Sequence, residues 1–195
     1  MLIVKSLSRA GLQPMSLRVE DGACLAITGP SGAGKSLLMR ALADLDPNSG
    51  DVSTGQLNRS DTTAPAWRRN VAFLPSETGW WQDDVGAHFS DHEGTKARLP
   101  LVGLSTDALN WKVTRLSSGE KHRLGLLRCL ETSPAVLLLD EPTAALDQET
   151  TLQVEALLRD QMDKGVSILL VTHDADQPHR LNCSTLRIEN GAIMT

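Results

Sequence analysis

Gly29-Pro-Ser-Gly-Ala-Gly-Lys-Ser36 decides how the rest of the chain is read. It follows Cys24-Leu-Ala-Ile-Thr28, a short apolar run suited to a buried strand. It precedes Leu37, Leu38, Ala41 and Leu42, which share one face of a helix. Between a strand and a helix, closely spaced glycines let the backbone aim several N–H groups at one anion, and the positive helix end strengthens the attraction. Phosphate is the natural ligand of such a cradle. Gly29, Pro30, Ser31, Gly32, Ala33, Gly34, Lys35, Ser36 and Leu37 are therefore assigned to nucleotide binding, with Lys35 a point charge on the outer phosphates and Ser36 a Mg²⁺ ligand. A glycine-rich turn is the bland alternative, and the flanking strand and helix argue against it.

A second feature completes the first. Val136-Leu-Leu-Leu-Asp-Glu141 is an unbroken apolar run ending in two carboxylates, as expected of a strand buried in a parallel sheet. Ligands of open α/β sheets bind at the C-terminal ends of the strands, so the pair would face the same crevice as the glycine loop. Asp140 suits a hold on Mg²⁺, and Glu141 suits a base for an attacking water. Strands often end in acidic residues, so the pair gains its meaning from the loop.

Composition sets the outer bounds. The chain has 195 residues, 41% apolar and 22% charged, and a formal net charge of −5. These values suit a soluble globular protein and argue against one that coats nucleic acid. Cys24, Cys129 and Cys183 show no metal-ligand spacing and are expected as free thiols in a reducing compartment. No leader-like opening and no membrane-length apolar run is present, so any membrane role is expected to come through a partner.

Leu2-Ile-Val4 and Met15 to Val19 read as strands of an antiparallel layer, followed by a possible short strand at Asp51 to Thr54. Gln56 to Pro65 reads as a polar surface connection, and Val71-Ala-Phe-Leu74 as another buried strand. From Ser76 to about Thr114 the pattern weakens toward a small, mainly helical lobe. Leu124, Leu127 and Leu130 then mark a helix; Val166 to Val171 reads as a further parallel strand, and Ser184 to Met194 as a hairpin about Asn190-Gly191. The expected organisation is a core from 1-75 and 131-195 with an inserted helical and signature part at 76-130. Lys121, His122, Arg123 and Arg128 suit a solvated helix face or phosphate contact equally, and the loose run of His88, Asp91, His92 and Glu93 is a weak metal candidate.

Leu116-Ser-Ser-Gly-Glu120 resembles the signature of the ABC ATPases, Ala144-Ala-Leu-Asp147 looks like their D-loop, and His173 is similar to their switch histidine. The order of loop, signature, acidic strand, D-loop and histidine covers nearly the whole chain. The resemblance implies an α/β P-loop NTPase with a parallel sheet core, an antiparallel β layer and an inserted helical subdomain. It further implies ATP and Mg²⁺ as cofactors, and a head-to-tail pair of copies in which Ser117, Ser118, Gly119 and Glu120 of one meet the phosphate held by the other. Glu141, His173 and Lys35 would be catalytic, and Asp147 would bridge the copies. The implied role is to energise a separate permease from the cytoplasmic face of the membrane, with no nucleic acid bound. A soluble ABC ATPase acting on nucleic acid or ribosomes, or a regulatory module with little hydrolysis, are the competing readings.

Departures from the family pattern matter as well. No aromatic precedes Trp67, so Arg9 is the candidate to stack on the base, with weak base discrimination expected. Ser76, with Glu77 beside it, stands where the family has a Mg²⁺-linked glutamine, and Ser118 replaces the first glycine of the signature. Trp80 and Trp81 either line a groove for the permease or fill the core of the lobe. The lobe is short for an importer, and compact relatives of this kind include some linked to metal or iron export.

Overall fold

The computed structural model describes every residue except Gln56, Ala145 and Thr195. The first residue of the expected surface connection and one residue of the Ala144 to Asp147 turn thus lie outside the described residues. In chain order the strands and helices are β1 (Leu2–Arg9), β2 (Leu12–Val19), β3 (Cys24–Thr28), α1 (Lys35–Leu42), β4 (Ser49–Thr54), β5 (Leu57–Asn58), α2 (Ala64–Asn70) and β6 (Val71–Leu74). There follow α3 (His92–Arg98), α4 (Ser118–Glu131), β7 (Val136–Asp140), α5 (Gln148–Asp163), β8 (Ser167–Val171), α6 (Gln177–Arg180), β9 (Ser184–Glu189) and β10 (Ala192–Met194).

Two sheets form. One is antiparallel, ordered β2-β1-β4-β5; the other is ordered β10-β9-β3-β8-β7-β6, parallel except at the β10 edge. The unbroken apolar runs explain the position of the second sheet. In β7, Val136 and Leu138 pack into the core shared with the antiparallel sheet, while Leu137 and Leu139 join the helices on the other side. Leu169 and Val171 of β8 go the first way, Ile168 and Leu170 the second. Side chains alternate along a strand, so a strand covered on both faces must be apolar at every position.

The Gln56 to Pro65 stretch does not run as a bare connection into β6. It is interrupted by β5 and closes into α2, with Pro65 in the helix's first turn. Trp67 is the reason, because its indole is fully buried and its Nε1–H donates to the Leu42 carbonyl at 2.8 Å. Between β6 and α4 lies a lobe of α3 and short 3₁₀ turns, closed by a bridge from Asp84 to Lys112. It is tied to α4 by Glu131, whose Oε1 accepts from the N–H groups of Ser90 and Asp91 at 2.6 and 2.5 Å.

The expectation of three free thiols is corrected. Parallel pairing of β3 with β9 sets Leu25 opposite Ser184, which brings the preceding residues together, and Cys24 is bonded to Cys183. A sequence separation of 159 hid a neighbour relation that only strand order creates. Cys129 is free, and burial pushes its thiol up to about 12.

Candidate active site

Strand register brings the candidate residues to one edge. Ile27 and Asp140 both pair with Val171, so β3, β7 and β8 end within a residue of one another and bring Gly29, Glu141 and Thr172 to one edge. Gly29, Gly32 and Gly34 all have positive φ, which is what wraps the loop from β3 into α1. No side chain caps α1, whose first-turn N–H groups therefore stay free for an anion. Lys35 curls back into the loop and donates to the carbonyls of Gly29 and Pro30 at 2.8 and 2.9 Å.

Ser36 Oγ–H donates to Asp140 Oδ2 at 2.8 Å, joining the loop to the acidic strand. Glu141 leaves β7 with a φ of 59°, a strained choice for a non-glycine residue, while its N–H still bonds the Val171 carbonyl at 2.9 Å. The turn aims its carboxylate across the crevice. Glu141 Oε2 accepts from the His173 N–H at 3.2 Å; the His173 Nε2 lies 3.2 Å from Oε1 but off the line of a hydrogen bond, so Oε1 is buried without a partner. Burial pushes the carboxyl of Glu141 up from its ordinary value, against the pull of His173 and Lys35. A half-buried carboxylate with one unpartnered oxygen beside a phosphate cradle is suited to take a proton from water.

The signature lies at the start of α4. Ser117 is its N-cap in a capping box: Glu120 N–H donates to Ser117 Oγ at 3.2 Å, and Ser117 N–H to Glu120 Oε2 at 2.8 Å. Ser117 and Ser118 are exposed and Gly119 is buried. Among the described residues, no side-chain hydrogen bond of this segment reaches the glycine loop. Asp147 caps α5 through Thr150, whose N–H and hydroxyl hold its carboxyl below the usual carboxylate range.

Residues 12–144 match the family described as ABC transporter. The chain belongs to this family. It is similar to the aliphatic sulfonates import ATP-binding protein SsuB of Pectobacterium atrosepticum, 35% identical over 95% of this chain and 71% of that protein. A solved ATP-binding subunit of an ABC transporter superposes with a TM-score of 0.88 at 24% identity, over 100% of this chain and 88% of the other. A dimeric post-hydrolysis state of the ATP-binding cassette MJ0796, bound to ADP and Pi, gives 0.78 at 21%, over 100% and 97%. This is an ABC transporter ATP-binding subunit, an ATPase that energises a separate permease. Among the described residues no helix is long and apolar enough to cross a membrane.

Other expected residues of the ABC subunit fall differently. Arg9 does not stand free for a base: its guanidinium pairs with Asp46, which Arg40 also grips through Nε and Nη2 at 2.7 and 2.8 Å. Ser76 is exposed two residues beyond Leu74, which pairs with Leu139, so it stands roughly level with Glu141 but beyond the neighbouring strand end. His88 serves the fold: its Nε2 accepts from the N–H groups of Trp81 and Gln82 at 3.1 Å, and its Nδ1 faces the Asp84 carbonyl. His122 is buried in α4 rather than on a solvated face, and burial pushes its imidazole down.

The two tryptophans differ in burial. Trp80 packs against the lobe and bonds Thr78, whereas Trp81 is 68% exposed at the mouth of a groove of about 710 Å³. Arg128 lies against both rings at 4.8 and 5.0 Å. Sequence reasoning missed what holds the glycine loop from behind. Gly191 N–H donates to the Ala33 carbonyl at 2.9 Å, and its own carbonyl accepts from Gln13 N–H at 2.8 Å. The Asn190-Gly191 turn signalled a hairpin, but its contact with residues 33 and 13 follows from β9 lying beside β3.

Proposed function

We propose that this ABC subunit hydrolyses MgATP in a site shared by two head-to-tail copies and thereby drives an importing permease. The observation that carries the reading is Ser36 Oγ at 2.8 Å from Asp140 Oδ2, which joins the phosphate loop to the acidic strand with Glu141 alongside. A hydroxyl and a carboxylate facing each other are hard oxygen donors that fit Mg²⁺. Mg²⁺, held by Ser36 and Asp140, would neutralise charge on the outer phosphates.

The chain's own groups do the rest. The loop's N–H groups and Lys35, released from the carbonyls it now holds, bind the β- and γ-phosphates. Glu141 orients a water and takes its proton as the water oxygen attacks phosphorus; the bond to the β-phosphate oxygen breaks, leaving ADP and phosphate. His173, exposed at the strand end, faces the same phosphate. Ser117 and Gly119 are supplied by the second copy, an arrangement consistent with the dimeric state named for the MJ0796 cassette. Asp147 is exposed beside the crevice and suits the contact between copies.

The groove at Trp81 suits a docking segment of the permease on the cytoplasmic face. Leu45 and Phe73 give it an apolar floor, and Arg40, Arg68 and Arg128 a positive margin. Import, rather than export, is the direction given in the names of the relatives. With Arg9 engaged by Asp46, base discrimination is weak, and GTP is hydrolysed at a rate comparable to ATP. Turnover per chain should rise with protein concentration and vanish in Glu141→Gln; turnover independent of dilution would refute the shared site.

A further inference from the structure

Glu155 is 0% exposed, on the face of α5 that packs Val154 and Leu158 into the core. A carboxylate so placed must be paired. Apart from Arg159 on the same helix at 3.6 Å, its partners come from α6. Arg180 grips it through Nε at 3.1 and 3.0 Å and through Nη2 at 2.7 Å, and Gln177 Nε2 donates to it at 3.3 Å. Each partner has a second hold. Arg180 Nη2 donates to Asp174 Oδ2 at 2.6 Å, the residue next to His173. Gln177 Nε2 donates to Thr143 Oγ1 at 2.9 Å, two residues past Glu141.

We propose that Glu155 is a positioning residue for ATP hydrolysis: through Arg180–Asp174 and Gln177–Thr143, one buried carboxylate fixes the two segments that carry His173 and Glu141. The proposal rests on the reading of those two as the hydrolytic pair. His173 is 68% exposed, so packing does not aim its ring, and its direction comes from the backbone of its loop. That loop is tied at Asp174, which accepts from Arg180 and, through Oδ1, from Asp176 N–H at 2.9 Å. Glu141 sits in a left-handed conformation that the flanking chain has to enforce, and Thr143 is the nearest anchor downstream.

A double-mutant cycle separates positioning from simple support of the fold. Glu155→Gln keeps KM within about twofold of wild type and lowers kcat by on the order of tenfold to a hundredfold. On a His173→Ala background, assayed in single turnover at high protein concentration, the same change lowers the residual rate by several-fold less, the remainder passing through the Gln177–Thr143 arm to Glu141. Should Glu155→Gln fail to fold, Asp174→Asn, which cuts only the outer arm, carries the same two-part test. Equal losses on both backgrounds, or an unchanged kcat in a folded variant, would overturn the role. Full turnover in His173→Ala alone would overturn the reading of the pair, and with it this role, without any variant of Glu155 being needed.

Discussion

A methyl group at Gly29 should damage the protein far more than one at Gly32, although both are loop glycines with positive φ. A Cβ built on Gly29 would stand 2.0 Å from the Ile188 carbonyl oxygen, whereas one on Gly32 meets nothing within 4 Å. A carbon and a carbonyl oxygen in contact need about 3.3 Å, so Gly29→Ala has to part β3 from β9 by about 1.3 Å. Overpacking of this kind costs about 1–3 kcal/mol, and the backbone conformation adds about 1–2 kcal/mol. At roughly 2–4 °C per kcal/mol for a chain of this size, the melting temperature falls by about 4–20 °C. Gly32→Ala bears only the conformational term, about 1–2 kcal/mol, and loses about 2–8 °C. Thermal unfolding by circular dichroism without nucleotide measures both. The displaced strand end is also where the phosphate loop begins, so Gly29→Ala misaligns the loop and weakens ATP binding by at least about tenfold. Equal melting temperatures for the two variants would refute the close approach of Gly29 to β9.

Glu141→Gln should abolish turnover while retaining nucleotide binding, and it should also melt higher than wild type at neutral pH. Burial raises the Glu141 carboxyl above 4.5, so the native state holds that proton more tightly than the unfolded chain; the contribution favours folding below pH 4.5 and is lost as pH rises through the raised value. The gap in melting temperature therefore closes below pH 4.5, and a constant gap would contradict the assignment. Trp81→Ala should leave melting within about 2 °C, since the ring is mostly exposed, yet abolish capture of the permease from solubilised membranes; full capture would rule the groove out. The carboxyl of Asp46 is held at about 2, chiefly by its hydrogen bonds to Arg40, so its contribution is present above 3.8 and lost as pH falls through about 2. Asp46→Asn should therefore destabilise the protein at neutral pH but not at pH 2, and it frees Arg9; an unchanged ratio of ATP to GTP turnover would show that Arg9 plays no part in base choice.

Much of the site was legible because its signals are local. A glycine loop announces its own backbone, and an apolar run ending in Asp140-Glu141 announces both a strand and the edge where it stops. What stayed hidden depends on which strands become neighbours. Cys24 with Cys183, Gly29 with Ile188 and Ala33 with Gly191 are all consequences of β9 lying beside β3, and no spacing in the sequence encodes that adjacency. The ion pair of Arg9 stayed hidden for a related reason. A carboxylate beyond the end of α1 claims its guanidinium, and an ion pair of high sequence separation leaves no periodic trace. Trp67 shows the opposite limit: a lone aromatic in a polar stretch was the sign that a helix there had a face to bury.

In the proposed shared site, the capping box at Ser117 suits the signature to serve a second copy. A serine hydroxyl accepts at two lone pairs and donates one proton. In the cap Ser117 Oγ only accepts, from Glu120 N–H, and Glu120 occupies the Ser117 N–H in return. The hydroxyl proton is left over, held at the positive end of a 14-residue helix and exposed to solvent. Fixing the oxygen by its acceptor side therefore orients a donor outward at no further loss of rotamer freedom. Glu120 has to stay folded back for this to hold, since a carboxylate released from the cap would repel the phosphate that the proposed shared site brings to it. The Ser118 substitution leaves this exchange intact, because residue 118 enters the helix as its first turn and takes no part in the box.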